Sequence, residues 1–171
     1  MPLGSMRDLL VLELQDIRSA EAQIAKMLPN MAKAASAPGL KSAFERHLAE
    51  TDGQIARLDQ CIAALGIPPS DTVCKGMEGL AAETRDMMDE EGPDPVLDAG
   101  LIGAAQRIEH YEIAAYRSAV AFAELLGASE VAALLRQNLD EETAADRTLS
   151  ALATKEVNQT AVAAGTRISE S

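Results

Sequence analysis

Aromatic side chains are nearly missing from this chain of 171 residues: two Tyr, two Phe and no Trp, 2% in all. Apolar residues still make up 47%, so the core must be filled by Ala, Leu, Ile, Val and Met. That supply suits packed helices. Cysteine is scarce too. Cys61 and Cys74 are too few for a disulfide scaffold and lack the paired spacing of a thiolate metal site, which points to a reducing cytosol and a cytoplasmic protein. No run of about 18 apolar residues exists, so no membrane span is expected. The start, "MPLGSMRDLL", has no basic stretch leading into an apolar one, so no secretory signal is expected. No Lys/Arg run offers a surface for nucleic acid. No segment alternates with period two, which argues against a sheet. Gly-rich phosphate loops, GxSxG and HExxH are all absent.

Helical periodicity fills the chain instead. Ser5 followed by Asp8 reads as an N-cap, and Leu9, Leu10, Leu14, Ile17, Ile24, Met27, Leu28 and Met31 recur at helical spacing. Pro29 should kink or end this first helix. A second helix is expected from about Gly39 to Leu65, stopped by Gly66. A shorter third runs from about Thr72 to Glu90. Pro95 opens a fourth, from Val96 to Leu126, and Ser129 caps a fifth that runs to about Val162. The four long helices have roughly 27–34 residues each, about 40–50 Å. They bury their stripes best as a bundle. The short helix lies in a connection long enough to cross the bundle end to end. The expectation is an all-α, ferritin-like four-helix bundle over residues 5–162, with residues 1–4 and 163–171 as flexible ends.

The net charge of −12 describes either an acidic surface or carboxylates that face inward. For a single Glu a solvated helix face is the default. Yet each long helix carries an acid close to its apolar stripe. Glu21 lies between Ile17, Ile24 and Leu28. His47, Glu50 and Gln54 flank a stripe drawn through Leu40, Phe44, Leu48, Ile55, Leu58, Ile62 and Leu65. Glu109 and Glu112, in "RIEHYEIAAY", sit among Ile102, Ala105, Ala119 and Val120. Glu142 and Asp146 follow Leu135 and Leu139. Five or six converging acids are intolerable while charged and unpaired. Two divalent cations remove the problem, and oxygen ligands with a little imidazole suit Fe or Mn. His110 is off the Glu109/Glu112 face and reads as an interhelical hydrogen-bonding residue. Tyr116 is placed to pack, or to orient a Glu. Glu13, Asp16 and Glu141 read as surface. "HLAETDGQIARL" and "LDEETAADRTL" hint at a weak internal duplication that sets Glu50 on Glu142 and Gln54 on Asp146.

"DLLVLELQDIRSAEAQIAKMLPNMAKAAS", "HLAETDGQIARLDQ", "CKGMEGLAAE", "DAGLIGAAQRIEHYEIAAYRS" and "LLRQNLDEETAADRTLSALA", in order over about residues 5–158, resemble the YciF/YciE-type ferritin-like stress proteins of bacteria. The resemblance implies a ferritin-like bundle with an extra short helix, a homodimer, a dinuclear metal centre and a role in stress response. It also implies Glu21, Glu50, Glu109, Glu112 and Glu142 as ligands, with His47 and Asp146 as candidates near them. Many members of that family carry His where this chain has Gln54, and the paired Glu-x-x-His of ferritin-like oxidases is absent. Two functions follow. One is a di-iron or di-manganese protein of ferroxidase or peroxide-consuming type. The other is a non-catalytic helical dimer that acts in stress by binding a partner.

Overall fold

In a computed structural model, residues 3–169 are described, with side chains through residue 164. Residues 1–2 and 170–171, parts of the expected flexible ends, lie outside the described residues. Helix α1 spans Met6–Ala34, α2 Pro38–Ala64, α3 Lys75–Asp89, α4 Asp94–Leu125 and α5 Ser129–Leu152. A π-helical turn, Ala153–Val157, joins α5 to α6, Asn158–Ser169. No strand occurs among the described residues.

The start of α1 is built as its sequence foretells. Ser5 Oγ accepts from the Asp8 backbone N–H at 3.1 Å and donates to Asp8 Oδ2 at 2.8 Å. Pro29, in contrast, neither ends α1 nor shortens it; the helix continues to Ala34. Pro29 faces solvent, while Met27, Leu28, Met31 and Ala32 keep the opposite side buried. That burial holds the last turns in place despite the donor proline lacks. Ser129 is not a cap either. It is the first residue of α5, behind Ala128, which makes no side-chain cap bond. The turn is made by Gly127 (φ 69°) and by the Ala128 N–H donating to the Ala123 carbonyl at 2.9 Å. The single fifth helix expected through Val162 is interrupted by the π turn. α3 starts at Lys75 rather than Thr72, capped by Cys74, whose Sγ accepts from the Met77 N–H at 3.4 Å.

α1, α2, α5 and α4 neighbour one another around a four-helix bundle, and α3 packs across α1 and α4. Local bonds set the directions. Arg7, at the start of α1, donates to the carbonyl of Leu65, just past the end of α2, at 2.6 Å; these two helices are antiparallel. α2 has no cap of its own: its N-cap residue is Ala37 and Pro38 follows. The buried Asp98 near the start of α4 serves in its place, accepting from the Ser36 N–H at 2.9 Å and the Ala37 N–H at 2.8 Å. The starts of α2 and α4 are therefore side by side, and these helices run parallel. Residues 65–93 must then travel the length of the bundle, and α3 lies in that crossover. Its close seat favours glycine: a Cβ at Gly76 would come within 2.6 Å of the Tyr111 ring, and one at Gly100 would press on the flexible end of Met87. No described helix is long and apolar enough to cross a membrane.

The core is in two apolar parts. One holds Ile24, Met31, Leu40, Phe44, Met77, Leu101 and Ile108; the other Leu10, Leu14, Leu58, Cys61, Ala119, Val131 and Leu135. Between them, at mid-height, lies a polar layer.

Candidate metal centre

Four helices supply this layer. α1 gives Glu21. α2 gives His47, Thr51 and Gln54. α4 gives Glu109, Glu112 and Tyr116, and α5 gives Asn138 and Glu142. Every one of these is buried, and Glu21, Thr51, Gln54, Glu112, Tyr116 and Asn138 are wholly so. The buried line of α2 runs Leu40, Ala43, Phe44, His47, Thr51, Gln54, Leu58, Cys61, a regular helical spacing. A stripe drawn through apolar residues puts His47 and Gln54 on its flank. The packed helix puts them at its centre, and Leu48, Ile55 and Ile62 become half-buried shoulders.

His47, Glu109 and Glu142 form the tightest group, with one potential ligand atom from each within 4.8 Å of the others. His47 Nε2 is 3.3 Å from Glu109 Oε1 and 3.8 Å from Glu142 Oε2. Gln54 Nε2 donates to Glu142 Oε1 at 2.5 Å. On the other side of the layer the Tyr116 hydroxyl donates to Glu21 Oε1, and Asn138 Nδ2 donates to the Tyr116 oxygen at 2.9 Å and to the Gln54 carbonyl at 3.2 Å. Arg57 donates to Asn138 Oδ1 and pairs with Glu141, tying this framework to the surface. Glu141, expected as plain surface, is thus half-buried with a partner.

Two of the expected ligands stand apart from the buried group. Glu50 has a side chain 34% exposed, and its Oε2 lies 3.5 Å from His47 Nδ1. Asp146 faces outward-lying partners: Gln106 Nε2 donates to it at 3.0 Å and His110 Nε2 lies 3.4 Å away. His110 is largely exposed and bridges α4 to α5.

The electrostatics are strained. Burial, joined by the Glu142 charge, pushes the Glu21 carboxyl up to about 8. Burial pushes Glu109 up to about 7. It raises Glu112 and Glu142 well above the ordinary carboxylate range, with neighbouring acids adding to it. Burial opposes a charge on His47, but the carboxylates of Glu50, Glu142 and Glu21 outweigh it and raise the imidazole's pKa. Glu21 Oε2, Glu109 Oε2, Glu142 Oε2 and both oxygens of Glu112 are buried without a hydrogen-bond partner. The same holds for His47 Nδ1, Thr51 Oγ1 and the side-chain oxygen of Gln54, Oε1. Native proteins leave few such atoms. Here they cluster, all acceptor-rich, with no lysine or arginine paired to any of the four buried acids among the described residues. The donor set is hard oxygen with one imidazole and no thiolate, which fits Fe or Mn.

Thr51, Asn138 and Arg57 were not legible as site residues. Asn138 lies four before Glu142, and Thr51 four after His47, so each shares a helix face with a site residue. That spacing is their one signal.

Residues 5–162 match a family described as a domain of unknown function, DUF892. The protein YciF of Escherichia coli (strain K12) is 40% identical over 162 residues, covering 94% of this chain and 98% of YciF. The crystal structure of the E. coli stress protein YciF superposes with a TM-score of 0.88 at 39% identity, covering 91% of this chain and 99% of that one. YcfI of Rhodopseudomonas palustris gives 0.84 at 42% identity, with 86% and 94% covered. A protein of Xanthomonas campestris pv. campestris gives 0.74 at 29%, with 96% and 99% covered. The resemblance read from the sequence motifs is borne out.

Proposed function

The chain belongs to the DUF892 family, and we propose that it is a bacterial stress-response protein whose bundle core holds two iron or manganese ions and works as a ferroxidase-type or peroxide-consuming centre. The observation that carries this reading is the set of five buried, unpartnered carboxylate oxygens on Glu21, Glu109, Glu112 and Glu142 beside His47. Unpaired buried charge on this scale costs several kcal/mol per group (about) and is retained where a cation offsets it. His47, Glu109 and Glu142 would hold one ion; Glu21 and Glu112 would serve the second. Bound iron supplies electrons to dioxygen or peroxide. The chain's own part is to position and to exclude. Tyr116 holds its hydroxyl proton on Glu21 Oε1, Gln54 fixes one oxygen of Glu142, and the two apolar cores keep bulk water out. The buried acids release their protons as cations load.

The test is metal analysis of the protein as purified and after incubation with Fe²⁺ or Mn²⁺, followed by aerobic Fe²⁺ oxidation monitored in the near ultraviolet. Two ions per chain and oxidation faster than buffer are expected. No bound metal at any supply would overturn the reading. A second reading, a non-catalytic helical dimer acting through a partner, draws on Gln54: a neutral amide already occupies Glu142 Oε1. It predicts that Glu112→Ala leaves the cellular stress phenotype intact. We propose further that the chain is cytoplasmic and, as the resemblance read from the sequence motifs implies, a homodimer; light scattering tests the dimer and cell fractionation the compartment.

A further inference from the structure

A cation bound by His47, Glu109 and Glu142 has to reach residues that are 6%, 2% and 1% exposed. A cavity of about 130 Å³ opens between α2 and α5 and reaches His47 and Glu109. Beside the buried Leu149, its α5 wall is made of small side chains, Ala144, Ala145 and Thr148, so the helices leave a cleft where larger residues would close it. Glu50 lines the facing α2 wall together with Arg46, and it is the one carboxylate of the cleft besides Glu109 of α4. One end of Glu50 is in contact with solvent, and its Oε2 lies 3.5 Å from the imidazole of His47. Another pocket that touches His47 and Glu109 has about 10 Å³ and is otherwise lined by Ile24, Met27, Leu28, Met31 and other apolar side chains. That space is too small and too dry for a hydrated ion.

We infer that the cleft between α2 and α5 is the way in for divalent cations, and that Glu50 is the carboxylate at its mouth that captures an ion and passes it to His47, Glu109 and Glu142. The inference rests on the metal-holding reading above. It gives Glu50 a role in the rate of loading rather than in the number of ions held. Its half-exposed position serves that role: a carboxylate anchored beside His47 can meet an ion in water and remain in reach of the buried group. No covalent chemistry is involved, only exchange of water ligands for carboxylate oxygens.

Rapid mixing of the metal-free protein with Co²⁺, followed by the visible absorbance of the bound ion, separates rate from count. Glu50→Gln is expected to slow loading about tenfold, the loss of a local attractive charge, while equilibrium dialysis finds the same number of Co²⁺ ions as in the unaltered chain. Ala145→Leu fills the cleft without removing a carboxylate and is expected to slow loading as well. Ala144→Leu, on the exposed rim, replaces it if the melting temperature of Ala145→Leu falls. Loading at the unaltered rate in both Glu50→Gln and the leucine variant overturns the inference. So does a lower equilibrium count in Glu50→Gln, which would make Glu50 a resident ligand. An unaltered chain that binds no Co²⁺ at equilibrium overturns the metal-holding reading itself.

Discussion

Glu112 states the problem of this protein in one side chain: it is wholly buried, and neither carboxylate oxygen has a partner. A group kept for packing alone would do better as an amide. Glu112→Gln is therefore expected to raise the stability of the metal-free chain, more at pH 8 than at pH 6, because the acid it replaces resists ionisation in place. The same substitution is expected to weaken metal binding. Urea unfolding with and without Mn²⁺ reads both effects, and a variant that is less stable without metal and gains as much from Mn²⁺ as the unaltered chain would assign Glu112 a purely structural role. The neighbours of Glu112 differ in how far they could be read in advance. The spacing of Glu109 and Glu112 against Ile108, Ile113 and Tyr116 marks an inward pair. Nothing local separates Glu50 from Glu142, since both follow apolar residues at similar phase. The weak duplication would make them equivalent, yet one is 34% exposed and the other 1%. The difference arises from which helix face meets a neighbour, and that is decided across the bundle.

The helices themselves follow from periodicity, and their ends follow from it less well. α1 runs past Pro29 because its buried side continues to Ala32. α5 gives way to a π turn at Ala153–Val157, where the sequence shows an uninterrupted helix. α2 begins without a side-chain cap because α4 provides one. Asp98 accepts two backbone N–H groups while 3% exposed, and such charge-assisted bonds contribute about 1.5–3 kcal/mol each. Asp98→Ala is expected to destabilise the chain by about 3 kcal/mol in chemical denaturation, with no change in the number of metal ions bound. A loss well under 1 kcal/mol (about) would mean that water replaces the carboxylate at no cost. No local motif announces Asp98 as a cap, because the amides it serves are 61 and 62 residues away.

Across the whole molecule, the buried acids set how stability depends on pH. Glu21 ionises near 8 in the folded chain against an ordinary value of 4.5, and Glu109 near 7. Between 4.5 and about 8 the folded state binds more protons than the unfolded one, so stability must fall as pH rises through that window. The melting temperature of the metal-free protein is expected to drop steadily from about pH 5 to about pH 8. Divalent metal requires the deprotonated acids, so its stabilisation grows over the same range, to about 2.7 kcal/mol for each bound ion when free ion exceeds its Kd a hundredfold. Differential scanning calorimetry at several pH values with EDTA or with Mn²⁺ checks both slopes. A metal-free melting temperature that rises with pH would show that these carboxyls are ionised and paired in the fold.

The sequence by itself determined the all-helical class, the first four helices to within a few residues, the crossover and the family, because each rests on local spacing or on motifs carried in order along the chain. It also pointed to acids near the stripes of four helices, since a carboxylate at a core phase is visible in one dimension. Only the tertiary structure decided which of those acids meet. His47, Glu109 and Glu142 converge, Glu21 and Glu112 lie in the same layer, Glu50 sits at the mouth of a cleft and Asp146 pairs outside it. It also supplied Thr51, Asn138, Arg57 and Asp98. The physical reason is that burial and hydrogen bonding at a bundle's centre depend on the rotation of each helix against the others, and that rotation is set by the packing of all of them together.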